Sequence, residues 1–389
     1  MIQRIFHTIG QGAFYSERHE NINIVYDCGN WRNTKLADKI VKQSFTKNEE
    51  IDILFISHFD FDHVSKIPTL TKHVKRIRNV VMPLLHNNEK ILLSNFYRGL
   101  GLNILTLINN PQQFFGEKTK IIYVRSSDNN EIPISDNVEP TNIDEIIKTK
   151  DAENLEVESG VQITLKGLLN WVFIPFNYKY NQNHNDLIKE LTKEGFNTTK
   201  LTTDPKYTLD KIVKDLSISK AKGGKIFKDI YDRIDGKINQ NSMFLYSGPV
   251  QSNKYHKNFF SGNMHRYFHY RLYFHCNRHS DKVGCIYTGD GNLNDVDIKS
   301  IFNYYWENVG TIQIPHHGDL KSFNQKVLED EHYCCPISVG KNKPYGHPSD
   351  KVIADILSSR SCPIKVTEEL NSEYIEIIEK THYLASGNL

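Results

Sequence analysis

The sequence has no feature of a membrane-spanning, secreted or disulfide-stabilised protein. No apolar run approaches the ~20 residues that are needed to span a bilayer, and residues 1–7 form a strand-like segment without a secretory leader. The six cysteines show no Cys-x-x-Cys spacing, which favours reduced thiols. We therefore expect a soluble, cytoplasmic protein that does not associate with membranes.

Several catalytic signatures are also missing. There is no Gly-x-Ser-x-Gly elbow and no Walker loop, so neither a serine nucleophile of that type nor a P-loop phosphate site is expected. The formal net charge is +2 over 389 residues, so no overall field attracts nucleic acid. The hydrophobic content of 39% is enough for a sizeable core.

A dense group of metal-ligand side chains follows the apolar run at residues 51–56. His58, Asp60, Asp62 and His63 lie within six positions, and the β-branched run before them is typical of a short buried strand. Ligands bind at the carboxyl ends of strands in open α/β sheets, and imidazole with carboxylate suits Zn²⁺ or Mn²⁺. The group predicts a metal-binding loop, with a polar turn as the alternative.

The same layout, a strand followed by polar residues, recurs three times in the C-terminal half. Runs at 283–288, 310–315 and 336–340 lead into clusters at 289–291, 316–318 and 345–348. Each cluster alone could be a turn or a surface pair. Together they are explained more economically by one site, to which they supply Asp290, His316, His317 and His347.

These motifs and their order resemble the metallo-β-lactamase superfamily of metal-dependent hydrolases. Within it, they resemble the nuclease-like domain of ComEC-type competence proteins and the phosphorylcholine esterases, which carry His-x-Asp-x-Asp-His where the wider superfamily has His-x-His-x-Asp-His. Further matches lie at residues 10–12, 26–29, 241–242, 288–290, 315–318 and 345–348. The resemblance implies an α/β fold: a four-layer αββα sandwich forming a single domain over residues 1–389, with helical and β-hairpin insertions.

The resemblance also implies two divalent metal ions, Zn²⁺ or Mn²⁺, as cofactors. Their ligands would be imidazoles and carboxylates: His58 and Asp60 for one ion, Asp62, His63 and His317 for the other, and Asp290 bridging. We take His317 rather than His316 as the ligand. His316 would then face the substrate as an acid or an oxyanion contact, and His347 would contact the substrate phosphate.

The chain departs from the family pattern in several places. It has Ala13 and Asp319 where ComEC-like domains tend to have Asp and Ser, and it has no obvious histidine for the superfamily's third motif. Asn241 and Ser242 occupy that stretch, and we assign both to substrate binding. The gap leaves the first metal ion with too few ligands.

The expected chemistry follows from charge. Two divalent ions about 3.5–4 Å apart can share a hydroxide and polarise the oxygen that takes up negative charge, which suits a phosphodiester substrate. Asp62 would orient the hydroxide. His316 and His347 would neutralise charge or protonate the leaving alkoxide.

Two inserted regions distinguish the chain from a minimal metallo-hydrolase. The first, residues 181–236, has helix-like patterns at 186–194 and 205–221, which predict either a solvated helical cap or a lid over the site. The adjacent Gly223 and Gly224 predict a turn between helices.

The second region, residues 250–282, contains six Lys or Arg against one acidic residue, and eight Phe or Tyr. Alternation over 266–277 predicts a strand whose outward face mixes cations with rings. Such a face can stack bases and grip phosphates, so Arg266, His269, Arg271 and Tyr273 are candidate substrate contacts that Lys257 would extend. An ordinary half-buried strand is the alternative.

The leading hypothesis is therefore a two-metal phosphodiesterase that acts on a nucleic acid or nucleotide. A metal-dependent lactonase or ester hydrolase is the second hypothesis. The third is a binding module of the same fold whose missing ligand reflects weakened catalysis. The sequence does not distinguish DNA from RNA or from a small nucleotide, and it leaves the oligomeric state open.

Overall fold

The structure is a computed structural model that describes residues 1–380, except 33, 103, 128–138, 150–154, 169, 208, 235–237, 240, 252–254, 262–280, 330 and 343–345. Its strands, in chain order, are β1 (Ile2–Phe6), β2 (Phe14–His19), β3 (Ile22–Cys28), β4 (Glu50–Phe55), β5 (Arg76–Pro83), β6 (Lys120–Val124), β7 (Ser126–Ser127), β8 (Thr141–Asn142), β9 (Leu155–Val157), β10 (Ile163–Thr164), β11 (Trp171–Lys179), β12 (Asn241–Pro249), β13 (Tyr255–Ser261), β14 (Gly284–Tyr287), β15 (Val309–Ile312), β16 (Cys334–Ser338), β17 (Cys362–Val366) and β18 (Tyr374–Lys380).

The helices in the described part of the chain are α1 (Lys35–Ser44), α2 (Phe61–Val64), α3 (Ile67–His73), α4 (Asn87–Gly99), α5 (Leu105–Asn109), α6 (Pro111–Phe115), α7 (Ile143–Thr149), α8 (Asn181–Lys193), α9 (Thr198–Thr203), α10 (Leu209–Asp215), α11 (Lys220–Arg233), α12 (Ile298–Ile301) and α13 (Asp350–Ser358). Short 3₁₀ turns cover Asn303–Asn308, His316–Gly318, Gln325–Leu328 and Leu370–Ser372. Within these described residues, no helix combines the length and the apolar character required to cross a membrane.

The strands form two sheets. The first has the order β13-β18-β1-β2-β3-β4-β5-β6-β9, and the second has the order β17-β16-β15-β14-β12-β11-β10-β8, with β7 beside β11. Strands β3 to β6 run parallel to one another, as do β14 to β17. Each sheet therefore has a run of parallel strands whose carboxyl ends lie at one edge.

Successive residues of the central strands face opposite sides of their sheet, as the two-residue period of a strand requires. In the first sheet, Val25 and Leu54 pack under an outer layer of helices, whereas Ile53 packs between the sheets. In the second sheet, Phe244 packs under α12 and α13, and Met243 packs between the sheets. The layers run helices, sheet, sheet, helices, and the predicted four-layer α/β sandwich is confirmed.

The first inserted region is helical and contains α8 to α11. Its buried apolar residues join the core beneath the first sheet's helices: Leu187, Leu191, Phe196, Leu201, Tyr207, Ile212, Phe227 and Ile230. A helical region is observed where one was predicted, and one side of these helices is an extension of the main core. The choice between a solvated cap and a lid stays a prediction.

The adjacent glycines of this region lie inside α11, so the predicted turn at Gly223 and Gly224 is wrong. A Cβ atom added at Gly223 would lie 2.6 Å from Cγ1 of Val213 in α10. The missing side chain allows α10 and α11 to approach closely, a packing reason that outweighs the usual cost of about 1 kcal/mol for glycine in a helix.

Lys257 in β13 does not lie on an outward face as expected. It is 2% exposed, its Nζ donates a hydrogen bond to Thr311 Oγ1 at 2.9 Å, and it pairs with Glu376 at 3.2 Å. Tyr255, two residues earlier on the same face, belongs to the core between the sheets. Lys257 lies opposite Ile378 of β18, which belongs to the same core, so this face of β13 points between the sheets.

Five cysteines lie in the described part of the chain, at positions 28, 285, 334, 335 and 362. All five are buried, and none of them forms a disulfide with another described cysteine. Their thiols pack as small apolar groups.

Candidate metal centre

The predicted ligands converge because parallel strands end together. β3 and β4 are neighbours in the first sheet. Asp27 lies near the carboxyl end of β3, and β4 leads into the loop at residues 56–60. In the second sheet β14 and β15 lead into Asp290 and the turn at His316–Gly318. The two sheets face each other, so polar residues from four strand ends meet at one rim of the sandwich.

Close contact between the two sheets requires a glycine at position 289. Gly289 has φ of +54°, and a Cβ atom there would lie 2.8 Å from the Cβ of Ser57. The side chain of Gln313 fixes this turn, since its Oε1 accepts hydrogen bonds from the amides of Thr288 and Gly289 at 2.8 and 3.0 Å. Asp290 is thereby held against the loop that carries His58.

Asp27 organises the histidines of that loop. It is fully buried, it has φ of +55°, and its carboxylate accepts hydrogen bonds from the amide and hydroxyl of Ser57 at 2.7 and 2.6 Å. His63 Nδ1 donates to Asp27 at 2.8 Å, and His58 Nδ1 lies 2.8 Å from the Ser57 hydroxyl. With both Nδ1 atoms engaged, the Nε2 atoms of His58 and His63 are directed toward the centre.

Asp290 lies between these two rings. Its Oδ1 is 3.1 Å from His63 Nε2, and its Oδ2 is 3.6 Å from His58 Nε2. Together, His58, His63 and Asp290 offer three ligand atoms that all lie within 4.8 Å of one another. The two carboxylate oxygens of Asp290 thus face different histidines, and its bridging role stays a prediction.

A second group contains Asp62, His63 and His317, again with ligand atoms within 4.8 Å of one another. His317 Nδ1 donates to the carbonyl of Ser338 at 2.8 Å, and its Nε2 lies 2.9 Å from Asp62 Oδ2. His316 instead stands 3.8 Å from Asp290, with Nδ1 toward Asp319 at 3.6 Å. Both histidines have positive φ, 47° and 57°, a backbone strain that is typical of functional sites.

Asp60 lies beside the first group but outside both groups of three. Its Oδ2 is 3.5 Å from His58 Nε2. Its Oδ1 accepts hydrogen bonds from the Tyr97 hydroxyl at 2.7 Å and from the Asn239 amide. One carboxylate oxygen is therefore held by the protein, and the other faces His58.

The residues present fit divalent cations. The Nε2 atoms of His58 and His63 are buried and have no hydrogen-bond partner among the described residues, although carboxylates surround them. Burial alone would lower the pKa of His58, but Asp290 and Asp60 raise that pKa to about 9. Burial likewise opposes the charged form of His63, yet Asp290 and Asp27 raise its pKa well above the usual value. The centre thus demands positive charge, either as protons or as metal cations.

The carboxylates show the complementary effect. Burial would raise the pKa of Asp290, but His63 and His316 hold it well below its usual value. The pKa of Asp62 is also lowered, because the hydrogen bond from His317 and the charge of His63 outweigh burial. Both groups are therefore ionised at neutral pH and available as ligands.

Asn241 and Ser242 line a small cavity of about 40 Å³ together with His58, Asp60 and Asp290. Both side chains are buried, 3% and 4% exposed. Neither the two amide atoms of Asn241 nor the hydroxyl of Ser242 has a hydrogen-bond partner among the residues that the structure describes. These polar atoms are available to a bound ligand.

A larger groove of about 570 Å³ opens over the same centre. Residues of the core and of α11 line it: Gln11, Trp31, Asp60, Asp62, Lys228, Tyr231, Asp232, Asp290, His316, His317, Asp319, Lys321 and His347. The rings of Trp31 and Tyr231 stack at 5.4 Å with an interplanar angle of 14°. The helical insertion therefore forms one wall of the groove.

The pKa values of the two remaining histidines of the groove are shifted in opposite directions. Burial would lower the pKa of His316, but Asp290 and Asp319 raise it. Burial, with the neighbouring His317 and His316, lowers the pKa of His347 to about 4. At neutral pH His347 is thus a neutral hydrogen-bonding group, whereas His316 binds a proton more readily than an ordinary histidine.

Four predicted substrate contacts, Arg266, His269, Arg271 and Tyr273, lie outside the described residues. Sequence reasoning assigned no role to Asp27, Tyr97, Asn239, Trp31 or Tyr231. The position of Asp27 just inside the end of a buried strand was a usable signal. The other four had no local pattern that could reveal them.

The comparisons with known proteins agree with this architecture. Residues 11–83 match the model of the Metallo-beta-lactamase superfamily, a segment that runs from β2 through β5 and carries Asp27 and the loop from His58 to His63. Over this segment the match agrees with the predicted superfamily. The narrower resemblance to ComEC-type domains and phosphorylcholine esterases stays a prediction, and no curated protein sequence matches the chain.

Solved structures give distant similarities. The short form of human tRNase Z (ELAC1) is 8% identical over 94% of this chain and 92% of its own, with a TM-score of 0.35. The metallo-beta-lactamase fold protein YhfI from Bacillus subtilis is 9% identical over 46% of this chain, with a TM-score of 0.24, and the match spans 54% of YhfI. The FEZ-1 metallo-beta-lactamase from Legionella gormanii is 15% identical over 45% of this chain and 52% of its own, with a TM-score of 0.22. Similarities this distant carry no argument about activity.

Proposed function

We propose that this protein is a metal-dependent hydrolase that cleaves phosphodiester bonds in a nucleic acid or nucleotide. One observation carries the proposal: imidazoles and carboxylates from both sheets converge with buried ring nitrogens that have no hydrogen-bond partner among the described residues. Bound divalent cations supply Lewis acidity and activate water in such sites.

The charge of the groove favours a phosphodiester once cations are present. Five aspartates and two lysines line it, so the carboxylates and ammonium groups of the groove sum to a negative charge. Two divalent cations would reverse that sign and leave Lys228 and Lys321 as additional positive charges on its walls. A neutral lactone or carboxylic ester would gain less from this reversal.

The walls of the groove offer surfaces for the rest of a nucleotide. The stacked pair of Trp31 and Tyr231 presents aromatic surface beside Lys228, which is exposed on the same helix as Tyr231. Aromatic rings with nearby cations are suited to stacked bases and phosphates. These contacts support a nucleotide-containing substrate rather than a simple phosphate ester.

The protein's own groups suit proton transfer at the centre. His316 Nδ1 faces Asp319 and Ser322, so Nε2 is the atom that can present a proton to a leaving oxygen. Asp62 Oδ2 accepts a hydrogen bond from His317 and is ionised, so it can orient an attacking water. His347 would donate a hydrogen bond to a phosphate oxygen as a neutral group.

The test compares metal content and turnover in wild type, Asp290→Asn, His63→Gln and His316→Ala. Protein stripped with chelator and reloaded with Zn²⁺ or Mn²⁺ is analysed for bound metal and assayed on bis-p-nitrophenyl phosphate, on single- and double-stranded DNA and RNA, and on a lactone. We expect Asp290→Asn and His63→Gln to lose metal and turnover. His316→Ala should keep its metal and lose most of its turnover.

The matched control is His256→Ala, because this half-exposed histidine lies on β13 and pairs with Glu379 rather than with the centre. It should keep full metal content and activity. Undiminished diester hydrolysis in Asp290→Asn would remove the proposal, as would turnover confined to the lactone. Thermal unfolding of each variant separates loss of the site from loss of the fold.

A cytoplasmic location remains a prediction. So do the identity of the metals and the occupancy of both sites.

A further inference from the structure

We propose that Asn241 is a metal ligand: its Oδ1 completes the shell of the ion at His58, in the place where the sequence has no histidine. The inference rests on the proposed metal centre and adds a difference between its two sites. The first site would offer His58, Asp60, Asp290 and Asn241, and the second Asp62, His63, His317 and Asp290. The first site would thus offer one nitrogen and three oxygens as ligand atoms, and the second site would offer two nitrogens and two oxygens.

The position of Asn241 follows from how β12 joins the metal-binding loop. Asn241 is the first residue of β12, and two residues later the amide of Met243 donates to the carbonyl of Ser57 at 2.9 Å. The Tyr26 hydroxyl donates to the carbonyl of Met243 at 2.6 Å. The beginning of β12 is therefore fixed against the residue that precedes His58, and Asn241 lies in the same 40 Å³ cavity as His58, Asp60 and Asp290.

The hydrogen bonding of the cavity singles out Asn241 among its asparagines. Asn239 donates to Asp60, Asn183 donates to the carbonyl of Asn239 at 3.0 Å, and Asn292 donates to Asp295 at 2.7 Å. Asn241 is 3% exposed, yet neither of its amide atoms has a partner among the described residues. A buried amide without partners is unfavourable because it has lost its hydrogen bonds to water, and a cation at Oδ1 removes part of that cost.

The ligand types predict unequal sites. Imidazole suits Zn²⁺, whereas carboxylate and amide oxygens suit Mn²⁺ and Mg²⁺. The second site should therefore bind Zn²⁺ tightly. The first should bind more weakly and discriminate less between Zn²⁺ and Mn²⁺, with the remaining space in its cavity holding water.

The experiment measures equilibrium metal binding rather than activity. Chelator-stripped wild type, Asn241→Ala, Asn241→His, Ser242→Ala and Asn292→Ala are titrated with Zn²⁺ and with Mn²⁺ by isothermal titration calorimetry. Metal content after gel filtration is measured alongside. We expect two binding events in wild type and only the tighter ion retained on the column.

Asn241→Ala should weaken the weaker event by at least about 10-fold and leave the tighter event unchanged. Asn241→His should tighten the weaker event for Zn²⁺ more than for Mn²⁺ and retain two zinc ions on the column. Asn292→Ala, which removes an amide with its own partner from the same cavity, should change neither event. If Asn241→Ala does not fold, the Asn241→His result decides alone.

Unchanged affinities in both Asn241 variants would overturn the inference, as would a loss confined to Ser242→Ala. Those results would leave the proposed function intact, because wild type would still bind two ions. Absence of both events in wild type would instead remove the metal centre itself.

Discussion

Replacing Tyr97 by phenylalanine tests how the protein holds Asp60. Tyr97 lies in α4 and is fully buried, and its hydroxyl is 2.7 Å from both Asp60 Oδ1 and the carbonyl of Phe59. Burial and the charge of Asp60 raise the pKa of Tyr97 well above its usual value, so the hydroxyl keeps its proton and acts as a donor. Tyr97→Phe removes that donor and leaves the ring in place.

The expected magnitude follows from the lost hydrogen bond. A hydrogen bond to a charged group contributes about 1.5–3 kcal/mol, and Asp60 keeps one donor, the amide of Asn239. Without the Tyr97 hydroxyl, Asp60 can turn away from the His58 site. Since about 1.4 kcal/mol corresponds to a factor of ten, metal binding at that site should weaken about 10- to 100-fold, the range typical for groups that orient ligands. The tighter site should be unaffected.

Titration of stripped protein with Mn²⁺ by calorimetry measures this change, and chemical denaturation measures the accompanying loss of stability. The chain offers a matched control in Tyr207→Phe, since the Tyr207 hydroxyl donates to Asp215 at 2.8 Å within the helical insertion. The same deletion there should leave metal affinity unaltered. Equal Mn²⁺ affinity in Tyr97→Phe and wild type would refute the reasoning that Asp60 is a positioned ligand.

The remaining predictions concern the interior and the groove. Burial would raise the pKa of Glu376, but Lys257 and Arg4 lower it from 4.5 to about 2. The contribution of the Glu376 carboxylate to folding stability is therefore present above about pH 4.5 and is lost as the pH falls toward 2. Glu376→Gln should flatten this acid-induced loss and lower the free energy of unfolding at pH 7 by about 3–5 kcal/mol, because two buried cations lose a partner. Urea unfolding at several pH values measures both the slope and the loss of stability. Lys228→Ala and Tyr231→Ala should raise KM for an oligonucleotide several-fold with little change in kcat, since both line the groove away from the proposed ligands.

Each of these predictions has an internal check. For the interior, Glu379→Gln removes an exposed carboxylate that lies 3.6 Å from His256, and it should leave the acid slope unchanged because exposed ion pairs contribute little to stability. An unaltered slope in Glu376→Gln would contradict the assignment. For the groove, the two variants should retain their KM for bis-p-nitrophenyl phosphate, which lacks bases. A matching rise in KM for both substrates would argue against a nucleotide contact.

The convergence of the centre could be predicted because it depends on local patterns. A run of β-branched residues marks each strand, and the polar residues that follow it must lie at the strand's carboxyl end. The strands before His58, Asp290 and His316 are observed as β4, β14 and β15. The family match of residues 11–83 covers the first of these clusters.

The partners that orient the ligands could not be predicted in the same way. Tyr97 is 37 positions from Asp60 and Asn239 is 179 positions away. Their roles depend on how α4 and the segment before β12 pack, which no local pattern specifies. The predicted outward position of Lys257 was wrong for a related reason. Alternation along a strand defines two faces, but the register of β13 with β18 decides which face is buried.

The centre joins two sheets, so the distances between its ligands depend on how the sheets are aligned. An apolar interface between sheets is non-directional and would allow small displacements, whereas ligands must be held within about 0.5 Å. Arg4 provides directional contacts between the two sheets. In the first sheet it pairs with Glu17 at 2.8 Å and with Glu376 at 2.5 Å. It also donates to the carbonyls of Ser247 and Val283 at 3.2 and 3.0 Å, in and beside the second. These buried hydrogen bonds fix the alignment that brings Asp290 to His63.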